Sequence, residues 1–455
     1  MDMDAGRAEA VLRGQRKRLR PSKKELEMLK MAERRIRARL ELHVPDGVEI
    51  GLMGSVAKGT ALRDNRDLDI FLLFPKKYDP QEAKRKGIEW AKKAMRGLKC
   101  ELNYAQHPYL KVYMPGLKVD IVPSYKIENH EKLKTAVDRS QLHTVWVNGR
   151  INDAMRDDVR LLKQFLKSIG VYGAQSRVEG FSGYLCELLI IKYGSFLNLL
   201  EEAANWSRPV IDIEGFHGEK GAEGMFEKAA MVVIDPVDKA RNVSAVVSHT
   251  SLSRFILAAR DFLKKPSSKF FAEKKRAVSS GEILSSIKRR GTHMILLRFA
   301  PPRLVEDVLW PKMRKTAQAL IARLEADEFR VFGHYFYADE KDAFILIELM
   351  DWGLPKIKHI VGPQVCMPEH ADMFIRRHKM AENLHAEHGR VVAIERRERT
   401  KPIDSVLWAI KNAQRVGIPE EFAKALKAAK NEKPSWLASS EKLRAVAADY
   451  LLRKI

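Results

Sequence analysis

The sequence predicts a multidomain fold that combines helices with β-sheets, of the α/β (α+β) class. Its 455 residues are enough for three or more domains. Two apolar runs, at 48–53 and 71–74, flank a glycine-containing turn and predict two strands around a short helix. Residues 152–169 have the helical spacing of apolar side chains, whereas residues 293–350 alternate between strand-like and helix-like patterns. Helix-rich and strand-rich stretches therefore succeed one another along the chain, as they do in proteins with several domains.

The chain carries a large excess of positive charge. Lys and Arg number 82 against 59 Asp and Glu, which gives a formal net charge of +23. A polyanionic partner is expected for such a chain, and nucleic acid is the usual one. A basic protein without such a partner is the alternative. Three cysteines without paired spacing favour neither a disulfide framework nor a zinc site, and they fit a reducing cytoplasm.

No secretion signal and no membrane span are predicted. The first ten residues are acidic, unlike the start of a signal peptide. The longest apolar stretch, residues 184–200, is interrupted by Glu187 and Lys192, whose charges are costly in a bilayer. We therefore expect a cytoplasmic protein without membrane contact.

Residues 5–43 are predicted to be helical. Ser22 followed by Glu25 has the spacing of a capping box, which would start a second helix. The basic run 16–20 lies just before it. This run either contacts phosphate or forms a solvated helix face, and the solvated face is the favoured interpretation.

Acidic side chains follow the glycine-containing turn at regular spacing. Gly54 and Ser55 come directly after the first apolar run, and Asp67 and Asp69 begin the second strand. Because side chains two residues apart on a strand share a face, these two carboxylates are expected side by side. A third carboxylate, Asp120, lies in another predicted strand that should pair with the first. Neighbouring carboxylates that face phosphates bind divalent metal ions, and a salt-bridge role for Asp120 is the alternative.

Four further polar residues lie in segments whose function the residue pattern alone leaves open. From residue type alone, His143 is expected to be a surface or packing residue, and Lys163 is expected to be an exposed residue of a predicted helix. Tyr172 follows the glycine that ends that helix. Arg241 could read a base edge with its planar donors or pair with a carboxylate such as Asp238.

The remaining elements are predicted in order along the chain. A long helix should run from Ser182 to about residue 204. Beyond a linker at 264–269, the order is β, α, β, β, α, and the last helix is expected from Pro368 to about His388. Four histidines fall in that last helix, where a solvated face is favoured over a metal site. The tail, residues 401–455, is predicted to be helical and basic.

The stretch 54–74 resembles the signature of the DNA polymerase beta-type nucleotidyltransferases. That signature is Gly-Ser, a spacer of about ten residues, and then acid, apolar, acid, apolar. The opening G-S-V-A-K-G-T at residue 54, the strand V-D-I-V-P at residue 119 and the segment D-P-V-D-K-A-R-N at residue 235 are similar to those of archaeal (class I) CCA-adding tRNA nucleotidyltransferases. The resemblance covers the whole chain and is strongest from residue 15 to residue 265.

The resemblance implies four domains. They are a nucleotidyltransferase head at 1–150, a helical nucleotide- and base-selecting central domain at 151–268, an α+β RNA-binding body at 269–400 and a helical tail contacting tRNA at 401–455. It also implies template-independent addition of C, C and A to the 3′ end of tRNA from CTP and ATP, with release of pyrophosphate. A homodimer is a further expectation from the family.

The resemblance also implies roles for individual residues. Asp67, Asp69 and Asp120 would be catalytic and would hold two Mg²⁺ ions. The nucleotide-binding residues would be Gly54, Ser55, Lys58, His143, Lys163, Tyr172 and Arg241. Of these, Arg241 would face the incoming base and help to choose between C and A. Arg is expected at position 58 in the family, and Lys58 keeps the charge but loses the bidentate fork.

Two other functions fit the same acids or the same fold. A poly(A)-type or other terminal RNA nucleotidyltransferase would carry the same three carboxylates. A catalytically silent RNA-binding protein would keep the fold, although the presence of all three acids argues against it. The two alternatives differ from CCA addition in which nucleotides, if any, are incorporated.

Overall fold

The computed structural model describes residues 5–104, 107–127, 136–272 and 277–452. The chain divides into two compact units, residues 1–275 and 276–454, and each unit is described by itself. The mixed α and β composition predicted from the sequence is confirmed. The predicted boundary at residue 268 lies close to the division between the units, and the finer boundaries at 150 and 400 stay predictions.

The N-terminal unit begins with the helices α1 (Ala5–Leu19) and α2 (Lys23–Glu41). The predicted capping box is present at the start of α2. The Glu25 N–H donates to Ser22 Oγ at 3.2 Å, and the Ser22 N–H donates to the Glu25 carboxylate at 2.8 Å. Both donors would lack a helical partner without these side chains.

The basic run at the end of α1 holds that helix in place within the unit. Arg16 Nε donates to Asp158 Oδ1 at 3.0 Å, and Arg20 Nε donates to Asp157 Oδ1 at 3.1 Å. Arg18 Nη2 donates to the carbonyl of Phe271 at 2.7 Å. Lys17, Arg18 and Arg20 are exposed, as the favoured interpretation of a solvated face predicts, although three cations of the run also bind groups within the protein.

A five-stranded sheet follows α2 in the chain. Its strands are β1 (Glu49–Met53), β2 (Asp67–Phe74), β3 (Lys99–Tyr104), β4 (Pro108–Met114) and β5 (Leu117–Tyr125), in the order β1-β2-β5-β4-β3. Strands β2 and β5 are parallel, and the other neighbours are antiparallel. The helices α3 (Gly54–Ala57) and α4 (Pro80–Ala94) follow β1 and β2. The predicted strand, short helix and strand at 48–74 are confirmed.

The two central strands of this sheet have one apolar face. The side chains buried there with α2 and α4 include Leu68, Ile70, Leu72, Val119 and Ile121. Because side chains alternate along a strand, the residues between them face the opposite side of the sheet. The three predicted metal ligands occupy those alternating positions.

A helical layer completes the N-terminal unit. Its helices are α5 (Arg139–Asn148), α6 (Asp153–Ser168), α7 (Gly183–Tyr193), α8 (Phe196–Ala203), α9 (Gly218–Met225) and α10 (His249–Lys264). The short strands β6 (Val210–Ile211), β7 (Val232–Asp235) and β8 (Asp238–Asn242) form a small sheet beside them. A cluster of fully buried aromatic rings fills the core, and it includes Phe165, Phe181, Phe196, Phe255 and Phe262.

The single long helix predicted from residue 182 to residue 204 is wrong, because α7 and α8 are separate. Gly194 ends α7 with a positive φ of 80°, which favours glycine and stops the helix. The two helices meet at an angle of 92°. Within the ranges described, no single helix is long and apolar enough to cross a membrane. The bent pair of α7 and α8 reaches that length and apolar character only when the two helices are counted together, and its side chains belong to the core of the unit.

The C-terminal unit contains a four-stranded antiparallel sheet in the order β10-β11-β9-β15. Its strands are β9 (His293–Phe299), β10 (Val331–Ala338), β11 (Ala343–Leu349) and β15 (Lys430–Glu432). The helices of the unit outside residues 350–400 are α11 (Ser280–Arg290), α12 (Glu306–Ala326), α14 (Pro402–Lys411), α15 (Ala413–Val416), α16 (Glu420–Lys427) and α17 (Glu441–Leu451). The predicted strands and helix between 293 and 350 are confirmed, and the tail contributes one strand besides its helices.

The helix predicted from Pro368 to His388 is wrong in its second half. Helix α13 (Pro368–Arg377) is shorter, and it packs on a three-stranded sheet of β12 (Ile357–Gln364), β13 (Asn383–Glu387) and β14 (Arg390–Arg396). His388 and Gly389 have positive φ angles of 47° and 73° and turn the chain between β13 and β14. His385 therefore lies on a strand and His388 in a turn.

Candidate active site

Gly54 brings the backbone into close contact with the acidic face of the sheet. The residue follows β1 directly and has a φ of 72°. A Cβ atom at this position would lie 1.8 Å from Oδ2 of Asp69, so only glycine fits without displacing that carboxylate. The Thr60 N–H donates to the carbonyl of Ser55 at 2.9 Å and closes the turn. The loop that carries Gly54, Ser55 and Lys58 is thereby set against the carboxylates.

The three predicted catalytic acids are neighbours on one face of the sheet. Asp69 on β2 is paired directly with Asp120 on β5, and Asp67 is two residues before Asp69. Burial, followed by the charges of Asp120 and Asp67, raises the pKa of Asp69 to about 6. Burial also raises the pKa of Asp120, although Lys111 opposes the shift from 3.3 Å away. The acids therefore repel one another when all are ionised.

This group of carboxylates has the chemistry of a divalent-cation site. Oδ1 of Asp120 is buried and forms an ion pair with Lys111 Nζ at 3.3 Å, but within the described residues it accepts no hydrogen bond of normal geometry. A cation beside Asp69 and Asp120 would offset the repulsion that raises the pKa of Asp69. Within the described ranges, no three His, Cys, Asp or Glu side chains surround a common point as metal ligands do. Asp67 is exposed, so the three acids are adjacent without forming a closed cage.

Two predicted phosphate-binding lysines meet at a buried glutamate. Glu187 on α7 accepts hydrogen bonds from Lys58 Nζ and, at 2.6 Å, from Thr60 Oγ1. Lys163 Nζ lies 3.7 Å from the same carboxylate and donates to the Thr60 carbonyl at 3.1 Å. Burial alone would raise the pKa of Glu187, but the two lysines and the Thr60 hydroxyl hold it below its usual value. All four side chains are buried.

Side chains of helix α6 bind the backbone carbonyl groups of the loop 58–61. Arg156 Nε donates to the carbonyl of Lys58 at 3.1 Å, and Arg160 Nε donates to the carbonyl of Ala61 at 2.8 Å. Arg160 also binds the carbonyl of Gly59. Together with the contact between Lys163 and Thr60, every carbonyl from 58 to 61 has a cationic donor. Residues 156, 160 and 163 are spaced by four and three positions, so they lie on one face of the helix.

Tyr172 lies beside this lysine and glutamate cluster. It forms an isolated parallel bridge with Phe181, just before α7 begins. A Cβ atom at Gly183 would lie 3.3 Å from the Tyr172 hydroxyl and 3.6 Å from Lys163 Nζ. Burial, followed by the nearby Cys186 and Glu187, raises the pKa of Tyr172. The structure therefore brings Tyr172 and Lys163 together at the start of α7.

His143 and Arg241 meet at a second buried carboxylate, Asp235. His143 Nε2 lies 2.9 Å from Asp235 Oδ2, and Arg241 Nη1 donates to the same oxygen at 2.6 Å. The Tyr184 hydroxyl donates to Asp235 Oδ1 at 3.0 Å, and its ring stacks on His143 with centroids 3.8 Å apart. Arg241 therefore pairs with a carboxylate, but Asp238, the partner considered from the sequence, instead accepts from Arg139 at 2.8 Å.

The protonation states in this second cluster follow from its burial. Burial lowers the pKa of His143 despite the hydrogen bond to Asp235, so the ring is neutral at pH 7 and Nε2–H is the donor. Burial would raise the pKa of Asp235, but His143 and Arg241 lower it to about 2. Tyr184 joins the two clusters, because Lys58 Nζ lies 5.5 Å from the centre of its ring.

Glu187, Thr60, Asp235 and Tyr184 are not among the catalytic or nucleotide-binding residues predicted from the sequence. Glu187 had a usable signal, since a charged residue inside an apolar helix needs a buried partner of opposite charge. Asp235 stands at the head of the D-P-V-D-K-A-R-N segment that contains Arg241. Thr60 closes the G-S-V-A-K-G-T stretch at residue 54, whereas nothing in the spacing of Tyr184 distinguishes it from a core residue.

Comparisons with known proteins cover most of the chain. The family model for a nucleotidyltransferase domain matches residues 33–143, that for the second domain of tRNA nucleotidyltransferase matches residues 157–272, and that for the C-terminal domain of CCA-adding enzyme matches residues 290–429. The order of the three models agrees with the order of elements in the structure.

Curated relatives are similar over about three quarters or more of their length. The CCA-adding enzyme of Methanothermobacter thermautotrophicus is 40% identical over 336 residues, which cover 73% of this chain and 73% of that protein. The CCA-adding enzyme of Archaeoglobus fulgidus is 36% identical over 388 residues, 85% of this chain and 86% of that protein. That of Methanocaldococcus jannaschii is 36% identical over 382 residues, 81% and 84% respectively. This chain therefore belongs to the archaeal family of CCA-adding enzymes, within the polymerase beta-like nucleotidyltransferases.

Proposed function

We propose that this protein adds C, C and A to the 3′ end of tRNA from CTP and ATP, without a template and with release of pyrophosphate. The observation that carries the proposal is the pairing of Asp69 with Asp120 across the parallel strands β2 and β5, beside the turn at Gly54. Membership of the CCA-adding family supports the choice of tRNA and of these two nucleotides.

In this proposal, Asp67, Asp69 and Asp120 hold the metal ions. Two Mg²⁺ ions bound there would lower the pKa of the RNA 3′-hydroxyl and neutralise the triphosphate and the leaving pyrophosphate. The protein itself positions the reactants by means of the rigid pair of strands and the turn at Gly54. The direct pairing of Asp69 with Asp120 and the raised pKa of Asp69 support a cation at this place.

The triphosphate would lie against the loop that follows β1. Gly54 and Ser55 offer backbone N–H groups and a hydroxyl, and Lys58 offers an ammonium group with three donors. Glu187 takes one of these donors. His143, Lys163 and Tyr172 add polar groups around the same loop and contribute to the shape and charge of the site.

Arg241 is proposed to select the incoming base. Asp235 accepts from its Nη1 and holds the guanidinium group at one end. The side chain is 36% exposed, so the group is held at one side and accessible at another. A planar donor in a fixed orientation can distinguish the acceptor atoms on a base edge.

In the direct test, the protein is incubated with tRNA that lacks the 3′-terminal CCA and with CTP, ATP, or both. Sequencing of the 3′ ends should show C-C with CTP alone and C-C-A with both nucleotides. Runs of A without C would contradict CCA addition and indicate a poly(A)-type enzyme. No incorporation by folded protein with Mg²⁺ would indicate an RNA-binding protein without catalysis.

We also propose that the body and the tail of the C-terminal unit contact tRNA and that the protein forms a homodimer. The formal net charge of +23 supports a polyanionic partner. Light scattering with and without tRNA would measure both the oligomeric state and the stoichiometry. A monomer at all concentrations would contradict the dimer without affecting the proposed reaction.

A further inference from the structure

Glu187 is an ionisable residue within an apolar stretch of helix α7. It lies in the middle of α7 and is 1% exposed, and its neighbours Leu185, Cys186, Leu188 and Leu189 are fully buried. A carboxylate in such a place is stable only with cationic and hydrogen-bonding partners. Packing alone would be better served by an apolar residue.

The partners of Glu187 come from two separate parts of the fold. Lys58 and Thr60 belong to the loop that follows β1, and Lys163 belongs to α6. Lys163 also donates to Thr60, to its carbonyl at 3.1 Å and to its hydroxyl at 3.2 Å. The single carboxylate is therefore shared by two ammonium groups, and the excess positive charge lies beside the turn at Gly54.

We propose that Glu187 is a positioning residue that holds Lys58, Thr60 and Lys163 in the arrangement that binds the polyphosphate of the nucleotide. This inference rests on the proposed function of the same loop and extends it to a residue that touches no substrate. Without the carboxylate, the two ammonium groups would repel one another and the loop would lose its attachment to α7.

The charge on Lys163 depends on Glu187. Burial lowers the pKa of Lys163, and Glu187 is the first group that opposes this effect. The other titratable or charged groups that face the cluster are Arg160 on α6, Cys186 and Tyr184 on α7, Tyr172, His143 on α5 and Asp69 on β2. With a neutral residue at 187, burial would act almost unopposed, and Lys163 would lose its proton as the pH rises.

The test measures the binding of inorganic tripolyphosphate by calorimetry at several pH values between 6 and 9. The ratio of the dissociation constants of Glu187→Gln and wild type at each pH removes the titration of the probe itself. We expect the ratio to rise as the pH increases from 6 to 9, because removal of the carboxylate lowers the pKa of Lys163 further and loss of its proton weakens the binding of an anion. A constant ratio would indicate a purely structural role and would overturn the proposal.

A second variant identifies the titrating group. In Glu187→Gln combined with Lys163→Met, the pH dependence of the ratio should disappear, since the ammonium group is gone. If the dependence persists, another group titrates and the proposal is wrong. Glu187→Asp keeps the charge with a shorter reach, so it should bind more weakly than wild type but with the pH profile of wild type. This variant also keeps the test decisive if Glu187→Gln does not fold.

Asp158→Asn is the matched control. Asp158 is also a buried carboxylate of this unit, and it accepts from Arg16 at 3.0 Å and from the Phe196 N–H at 3.0 Å. Its loss should leave the pH profile of tripolyphosphate binding unchanged, because it contacts neither lysine of the Glu187 cluster. The binding assay involves no catalysis, so failure of wild type to extend tRNA would refute the proposed function alone. Failure of wild type to bind tripolyphosphate would overturn the inference.

Discussion

At the scale of single residues, the candidate site is defined by neighbouring side chains that carry charges of the same sign. Asp69 and Asp120 are opposite one another on parallel strands, and Asp67 is close to both. In the clusters around Glu187 and Asp235, by contrast, each carboxylate has cationic or hydrogen-bonding partners. The mutual repulsion of the three acids, offset only in part by Lys111 beside Asp120, supports the cation site proposed there.

Asp69→Asn should increase stability and abolish activity. The pKa of Asp69 is raised from 3.8 to about 6, so its charge lowers the stability of the folded state as the pH rises through that range. At pH 7 without metal, removal of the charge should therefore stabilise the protein by on the order of 1 kcal/mol. Thermal unfolding of both proteins in EDTA measures this change in stability. In a separate assay with Mg²⁺, nucleotide incorporation by Asp69→Asn should be undetectable. Asp67→Asn, at an exposed position, should change the stability less; an unstable Asp69→Asn would contradict the repulsion.

Gly54→Ala should inactivate the enzyme through a single added carbon. The Cβ would meet Asp69 Oδ2 at 1.8 Å, and the positive φ adds strain of about 1–2 kcal/mol. Incorporation should fall by roughly a hundredfold or more, given the sensitivity of catalysis to misplacement. Gly47→Ala is the control, because Gly47 has a φ of 89° but nothing within 4 Å of its Cβ position. It should carry only the strain of the positive φ and remain active, and equal activity of both variants would contradict the close contact.

Arg241→Ala should blur the choice between C and A more than it weakens nucleotide binding. The guanidinium is held by Asp235 through Nη1 and reaches the surface elsewhere. Misincorporation at each of the three positions, measured by sequencing products, should rise by about tenfold, as expected for the loss of one oriented hydrogen-bonding group. Arg139→Ala removes a neighbouring arginine bound to Asp238 and should leave the choice intact. Unchanged fidelity in Arg241→Ala would exclude it as the selector.

At the scale of elements, the site depends on how α6 and α7 hold a loop. The strand, turn and strand at 48–74 could be predicted because apolar runs and acidic spacing are local signals. The partners of Lys58 could not be predicted, since Glu187 is 129 positions away and only the folded chain brings them together. The same holds for His143 and Asp235, which are 92 positions apart.

The errors in secondary structure have equally local causes. Asn383–Glu387 is a short, mostly exposed strand, and its residues lack the apolar alternation that indicates a strand. The turn at His388 and Gly389 separates β14 from β13, and β13 is the strand that falls within the helix predicted from Pro368 to His388. In α7 and α8, continuous apolar character concealed the break at Gly194. Composition therefore predicted the core, whereas backbone conformation decided the boundaries.

Arg160→Gln should weaken nucleotide binding through the loop rather than through contact. Arg160 binds the carbonyls of Gly59 and Ala61, so its loss leaves buried acceptors without their donor at a cost of about 1–3 kcal/mol. The KM for CTP and ATP should rise by roughly tenfold, with a smaller change in kcat. Arg156→Gln removes one carbonyl contact of a more exposed side chain and should have a smaller effect. An effect confined to kcat would contradict this role.

At the scale of the whole molecule, two compact units divide the predicted tasks. The candidate site lies entirely within the unit of residues 1–275, and the unit of residues 276–454 has its own cores. The positive net charge belongs to the chain as a whole and agrees with a tRNA partner, but it does not identify which residues make contact. Composition is therefore informative about the kind of partner and silent about the interface.

The small strand β15 gives the C-terminal segment an unexpected importance. Lys430–Glu432 pairs with β9 and forms one border of the sheet, and Leu437 and Leu451 beyond it are buried. A premature stop codon after Ala429 would therefore leave the edge of β9 without its paired strand and would expose apolar side chains beside it. An exposed strand edge of this kind can pair with another copy of the protein. Size-exclusion chromatography should show aggregates for that product and none for a chain that stops after Leu452.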